Sequence, residues 1–304
     1  MKNDHFLLTG IIFLFFLIIP ESGLKAQQLD SEQHTTEDVK RLMEEGIKRM
    51  EDNEMREAIQ LFDQGREIFH KIVVAMDERN QNYITSNQLT REAERLIQQN
   101  DMSTALEKLN EAIRLNDENI EAYKYRGSIR LIKEQQKESE RDRNYIGLIH
   151  DYTNAIRITD RKIRNTPRHS QERKELEKEK AKLLINRAYV KMMENRSAAF
   201  HSAIEDYSDA IRNDDQNWDG YLGRAVAYNK TREYRREVND YLRAVALMQE
   251  YNHRMSDEEW GNLYLTIARA YVNLRDSRNA FEFATKAYNL GNQEAERIMN
   301  RHSP

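Results

Sequence analysis

A chain of 304 residues with 10 glycines, 3 prolines and 33% charged residues is poor in turn-formers, which argues against a sheet-based fold and for helices. Its 39% hydrophobic content is low for one compact core and suits an elongated helical protein with a high surface-to-volume ratio. The lack of cysteine excludes disulfides, thiolate metal sites and cysteine nucleophiles, while a net charge of −4 argues neither for nor against nucleic acid.

The N-terminus reads as an export signal. A short polar start precedes the apolar run FLLTGIIFLFFLII (6–19), followed by Pro20 and the small residue Ala26. The run is short for a bilayer span, which needs roughly 20 residues. Residues 1–26 are therefore expected to be a signal peptide cleaved near Gln27, giving a periplasmic or secreted protein. The alternative is an uncleaved membrane anchor, because Leu24 is a mediocre partner for Ala26 at a cleavage site. No cysteine stands near the exit, so lipoprotein processing is excluded. Residues 27–38 form a lead-in.

Beyond it the chain repeats itself. The phrases DYTNAIR (151–157), DYSDAIR (206–212) and DYLRAVA (240–246) are near copies, and the last two start 34 residues apart. Ala58, Ala105, Ala203 and Ala280 are followed four residues later by Phe62, Leu109, Tyr207 and Ala284, then three later by Gly65, Ala112, Ala210 and Ala287. Such spacing keeps one helix face. Gly46, Ala93 and Ala268 stand twelve residues before their leading alanines, and Ala188 stands three further back. Leu42, Leu89, Leu184, Tyr221 and Tyr264 each lie four residues before the small residue of their repeat. Two helices per unit follow, in six units: 39–72, 86–119, 120–162 with an insertion, 181–217 with a smaller one, 218–251 and 261–294. The tail 295–304 suits a polar cap, which repeat arrays need for solubility. Asp151, Asp206 and Asp240 read as solvated helix residues beside core tyrosines, and Asp117, Asp160 and Asp215 as helix stops and caps.

Two segments, 133–144 and 161–180, are highly charged and look like helix extensions. Pro167 should break the second, and Ser170 should cap the helix that follows. Pairs such as Glu175–Lys178 and Glu177–Lys180 would staple a solvated hairpin. Its basic residues Arg161, Lys162, Arg164 and Arg168 are the alternative, a protruding contact arm.

The pattern of aromatic or leucine, small residue and aromatic, then alanine, aromatic and alanine resembles the tetratricopeptide repeat, best in WDGYLGRAVAYNKTREYRREVNDYLRAVALMQEY (218–251). The six units cover most of the chain beyond the signal, although the proline that often closes a unit in that family is missing. The resemblance implies an all-α, right-handed superhelical solenoid of antiparallel helix pairs. It also implies a concave groove lined by first helices, in which partner peptides lie. Lys124, Asn186, Tyr189, Met192, Leu222, Val226, Asn229 and Arg269 are the expected partner-binding residues, with Met43, Ile47, Met50 and Ile185 on the same faces. Chaperone-binding members hold a terminal carboxylate with a Lys, Asn, Asn, Lys and Arg set. This sequence matches it only at Lys124 and Asn186. Ser128, Asp219 and Gly223 occupy the other places, and Asp219 would repel a carboxylate.

Enzymatic signatures are missing. No P-loop, G-x-G-x-x-G, G-x-S-x-G or H-E-x-x-H stands in the sequence. His150 and His201 suit packing or surface roles, so no metal site and no cofactor is expected. Base-selecting side chains and a basic groove are also lacking, which speaks against nucleic acid. The sequence therefore points to a non-enzymatic scaffold or adaptor of the cell envelope that binds a protein or peptide; it leaves the oligomeric state open. Two alternatives stand beside it: a glycan- or small-ligand-binding protein, with Trp218, Trp260 and Tyr189 as stacking candidates, and a subunit of a catalytic or secretion assembly.

Overall fold

A computed structural model describes residues 36–139 and 143–303; the expected signal peptide, 1–26, lies outside the described residues. Among the described residues the secondary structure is helical, with no strand. The helices are α1 (Thr36–Glu51), α2 (Met55–Gln98), α3 (Met102–Leu115), α4 (Ile120–Gln135), α5 (Ile146–Asn165) and α6 (Gln171–Met193). They continue with α7 (Ser197–Asn213), α8 (Trp218–Thr231), α9 (Tyr234–Glu250), α10 (Asp257–Leu274) and α11 (Ser277–Asn289), then a 3₁₀ turn (Gln293–Ala295) and α12 (Glu296–His302).

The chain divides into two compact units, Met1–Asn82 and Tyr83–Pro304, and the division falls inside α2. In the first, α1 meets the start of α2 through small residues. A Cβ on Gly46 would lie 2.5 Å from Cε1 of Phe62, and one on Gly65 would lie 3.0 Å from Cε of Met43. Met43 thus serves packing within this unit.

In the second unit the helices follow one another in antiparallel pairs, and the core is a chain of overlapping clusters. Ala93 of α2, Leu109 of α3 and Ile129 of α4 share one cluster, and Tyr123, Tyr152 and Leu184 share the next. Ala188, Tyr207 and Ala227 link α6, α7 and α8, and Ala225, Tyr241, Ile267 and Phe283 link α8 through α11. Each helix buries its face only against near neighbours, which is the quasi-one-dimensional packing of a solenoid.

Local chemistry sets the breaks. Asn100, Asn195, Arg232 and Arg275 take positive φ at the ends of first helices, the left-handed turn that lets the chain reverse. Pro167 stands between α5 and α6, and the Ser170 hydroxyl accepts from the Arg173 amide at 3.1 Å. The capping aspartates are misplaced by the sequence reading. Asn119 and Asn217 are the N-caps, two residues after Asp117 and Asp215, and Asp160 lies inside α5, paired with Lys180 at 2.7 Å. Asn116 and Asp214 close the preceding helices instead, each accepting from the amide two residues on, at 3.1 and 3.3 Å. These Asx turns satisfy the chain reversal where the repeat family often has proline.

Asn119 also gathers a buried polar network. Its Nδ2 donates to Ser86 Oγ at 2.8 Å and Thr90 Oγ1 at 3.0 Å, and Ser86 Oγ donates to the Ala112 carbonyl at 2.7 Å. One side chain thus caps α4 and ties it to α2 and α3.

The larger correction concerns Asp151, Asp206 and Asp240, which are buried rather than solvated. Arg126 Nη2 meets Asp151 Oδ1 at 2.6 Å, and Arg130 Nη1 meets Oδ2 at 2.7 Å. Arg187 Nη2 and Lys191 Nζ each lie 2.7 Å from Asp206, and Arg224 Nε lies 2.7 Å from Asp240. The tyrosine ring beside each aspartate fills the core while the carboxylate is neutralised by the first helix of the same pair. Removing water from a carboxylate is costly unless such a partner is present.

Candidate partner-binding surface

The first helices α4, α6, α8 and α10 each carry a small residue where the second helix approaches, and the next residue along turns away from that contact. Ser128, Tyr189, Val226 and Arg269 follow Gly127, Ala188, Ala225 and Ala268, and all four are exposed. The middle two are apolar and open to solvent, with Tyr189 47% and Val226 44% exposed. Asn186, one turn before Tyr189 on α6, is exposed as well.

The other expected groove residues are committed within the chain. Met192 is half-buried against the cluster of Ala188, Tyr207 and Ala227, and Leu222 is half-buried against the cluster running from α8 to α11. Lys124 Nζ lies 2.7 Å from Glu179 Oε1 and 2.9 Å from Glu121 Oε1. Burial alone would lower its pKa, but these two carboxylates outweigh it and leave it raised. Arg269 Nη2 lies 2.7 Å from Glu294, although both side chains face solvent.

Asn229 is the clearest correction among the groove residues. Its Nδ2 donates to both carboxylate oxygens of the buried Glu237, at 3.0 and 3.1 Å, so this amide holds α8 to α9 rather than waiting for a ligand. Burial pushes the Glu237 carboxyl above the usual glutamate range, and the Asn229 donor only partly opposes it. The folded state therefore keeps this proton to higher pH than the unfolded chain does. Stability from this site falls as pH rises from the ordinary glutamate range through the raised folded value. Glu237→Gln is expected to remove that slope and to raise the melting temperature at neutral pH. Melting curves between about pH 4 and about pH 7, spanning the ordinary glutamate pKa, check it; an unchanged slope would be the contrary result.

The basic arm is split in the same way. Lys162, Arg164 and Arg168 are exposed, whereas Arg161 is half-buried and paired with Glu118. The expected staples also differ. Arg173 meets Glu177 at 2.9 Å, Glu175 accepts from Gln171 at 2.7 Å, and Lys180 reaches across to Asp160. Ile163 is buried on the same helix, so this stretch of α5 packs rather than protrudes.

No family model matches the chain, and no curated protein matches it. Solved structures do. An assembly chaperone of RpL4, Acl4, shares 10% identity and a TM-score of 0.51, over 87% of this chain and 95% of that one. Pseudomonas aeruginosa PilF shares 14% identity and a TM-score of 0.49, over 87% of this chain and 98% of that one. YrrB, described as a TPR protein with an unusual peptide-binding site, shares 13% identity and a TM-score of 0.45, over 70% of this chain and 89% of that one. The fold is an all-helical solenoid of the tetratricopeptide type, as the paired helices and their repeated small residues show.

The sequence reading missed two groups: the Asn119 network and the arginines that hold the buried aspartates. A signal for the second was present. Arg126, Arg187 and Arg224 each stand immediately before the small residue of a first helix, and Asp151, Asp206 and Asp240 each stand immediately before the second-helix tyrosine.

Proposed function

We propose that the chain is a non-enzymatic scaffold of the cell envelope, exported by its N-terminal segment, that binds a protein segment along the first-helix row centred on Tyr189 and Val226. The observation that carries this reading is the row itself. Successive first helices present one exposed residue at the same register, and the two central ones are apolar. Tyrosine at such a position supplies a large anchor at low entropic cost. Asn186, which is exposed, supplies a donor and an acceptor beside it, and among the described residues no partner takes up its amide. Lys124, Asn229 and Arg269 contribute little, because Glu179, Glu237 and Glu294 already engage them. The partner is accordingly held by apolar anchoring and amide contacts, not by its terminal carboxylate.

Tyr189→Ala combined with Val226→Ala is expected to weaken partner binding at least tenfold, about 1.4 kcal/mol, while the melting temperature stays nearly constant because both side chains are solvent-facing. Titration calorimetry against the partner recovered from the envelope fraction measures it. Undiminished affinity would remove the row from the function.

A further inference from the structure

A second surface lies at the end of the helix pairs, away from the Tyr189 row. A cleft of about 270 Å³ opens where the loop between α7 and α8 meets the chain after α9, with Lys178 of α6 on its edge. Its aromatic walls are Trp218 and Tyr251, the latter 45% exposed. The Trp218 indole is set in place by the His253 ring, 4.7 Å away and tilted by 44°. Its polar walls are Asp214 and Asp219, with the amides of Gln216 and Asn217 between them in sequence. Among the described residues no lysine or arginine forms an ion pair with either carboxylate. Asp214 Oδ1 accepts from the Gln216 amide at 3.3 Å, and among the described residues the Asp219 side chain makes no hydrogen bond. Asp219 is itself exposed, yet desolvation against the cleft wall holds its carboxyl above the usual aspartate range, more than the attraction of His253 pulls it down. The charge on Asp219 is thus incompletely compensated. Lys178 supplies one positive charge against two negative ones, and its long stem lets the ammonium turn into water.

We propose that this cleft receives an arginine side chain of a partner protein, its guanidinium plane over Trp218 and Tyr251 and its N–H groups on Asp214 and Asp219. Arginine fits better than lysine because a planar, weakly hydrated guanidinium stacks on an indole and pairs with carboxylates at its edge. An acidic group is disfavoured by the two aspartates. The site does not depend on the Tyr189 row, so each can fail without the other.

The chain has two tryptophans, so Trp260→Phe in the whole protein leaves Trp218 as the only indole reporter. Titrated at low salt with acetyl-Gly-Arg-Gly-amide, its emission is expected to change saturably, and to change little with acetyl-Gly-Glu-Gly-amide or with chitotriose. Asp214→Asn with Asp219→Asn, which keeps the Asx turn, is expected to weaken the arginine peptide at least tenfold. Lys178→Gln is expected to tighten it. No saturable change up to the solubility of the arginine peptide overturns the proposal. So does an equal response to the acidic peptide, or tighter binding of chitotriose, which would make the cleft a glycan site. If Trp260→Phe lowers the melting temperature, fluorine NMR of the unaltered sequence labelled with 5-fluorotryptophan reads the same titration at Trp218.

Discussion

Replacing Asp151 with alanine is expected to destabilise the unit Tyr83–Pro304 by about 3–5 kcal/mol, the cost of breaking a buried ion pair. The carboxylate is fully buried and takes both Arg126 and Arg130, so its loss leaves two guanidiniums facing a small apolar void. Arg126 keeps a bond to Asn110 Oδ1 at 2.8 Å and Arg130 one to the Gly147 carbonyl at 2.9 Å, which sets the upper bound. The chain itself shows how the charge can be dispensed with. Ile267 and Phe283 occupy in the last pair the places that Arg224 and Asp240 hold in the pair before it, and both are buried in one cluster. Earlier, Glu92 and Lys108 hold those places with the charges exchanged, 3.0 Å apart. Asp240→Ala alone should therefore be costly, and Arg224→Ile with Asp240→Phe should recover most of the loss. Urea unfolding measures both. A double variant no better than the single one would mean that the apolar pair does not transfer.

Tyr207→Ala is expected to cost a similar amount, about 3–5 kcal/mol, as large-to-small changes of buried aromatics do. The ring lies between helix pairs. It shares a cluster with Ala188 and Ala203, and it fills the space above Gly223 so closely that a Cβ there would overlap it. Burial also pushes its phenol well above the usual tyrosine range. Tyr207→Phe, which keeps the ring, should change little. Gly223→Ala should destabilise by forcing the ring aside, at about 1–3 kcal/mol. A tolerated Tyr207→Ala in urea unfolding would mean that the joint between α7 and α8 is not packed as described.

The repeat was legible because its signal is local. Small residues at fixed distances from aromatic ones mark where two helices must approach, and Tyr207, Ala210 and Ala225 are buried as that pattern requires. Whether a polar residue is free was much less legible. Asn229 and Lys124 sit at groove-facing spacings on their helices, yet Glu237 and Glu179 engage them from elsewhere. Helical periodicity gives the face of a residue but not what stands opposite. Asp151 shows the reverse failure: a charge beside a core tyrosine reads as solvated until the arginine one helix away is placed against it. Tyr189 and Val226 survive as surface residues because none of the described helices covers their register.

A partner protein that lies along the first-helix row must come within reach of its exposed side chains. A photoreactive benzoylphenylalanine at position 189 or 226, with one at the solvent-facing second-helix position 243 as the control, reads this in living cells of the native host. Crosslinks to another polypeptide are expected from 189 and 226 and none from 243. Crosslinks from 243 alone, or equally from all three, would contradict that placement.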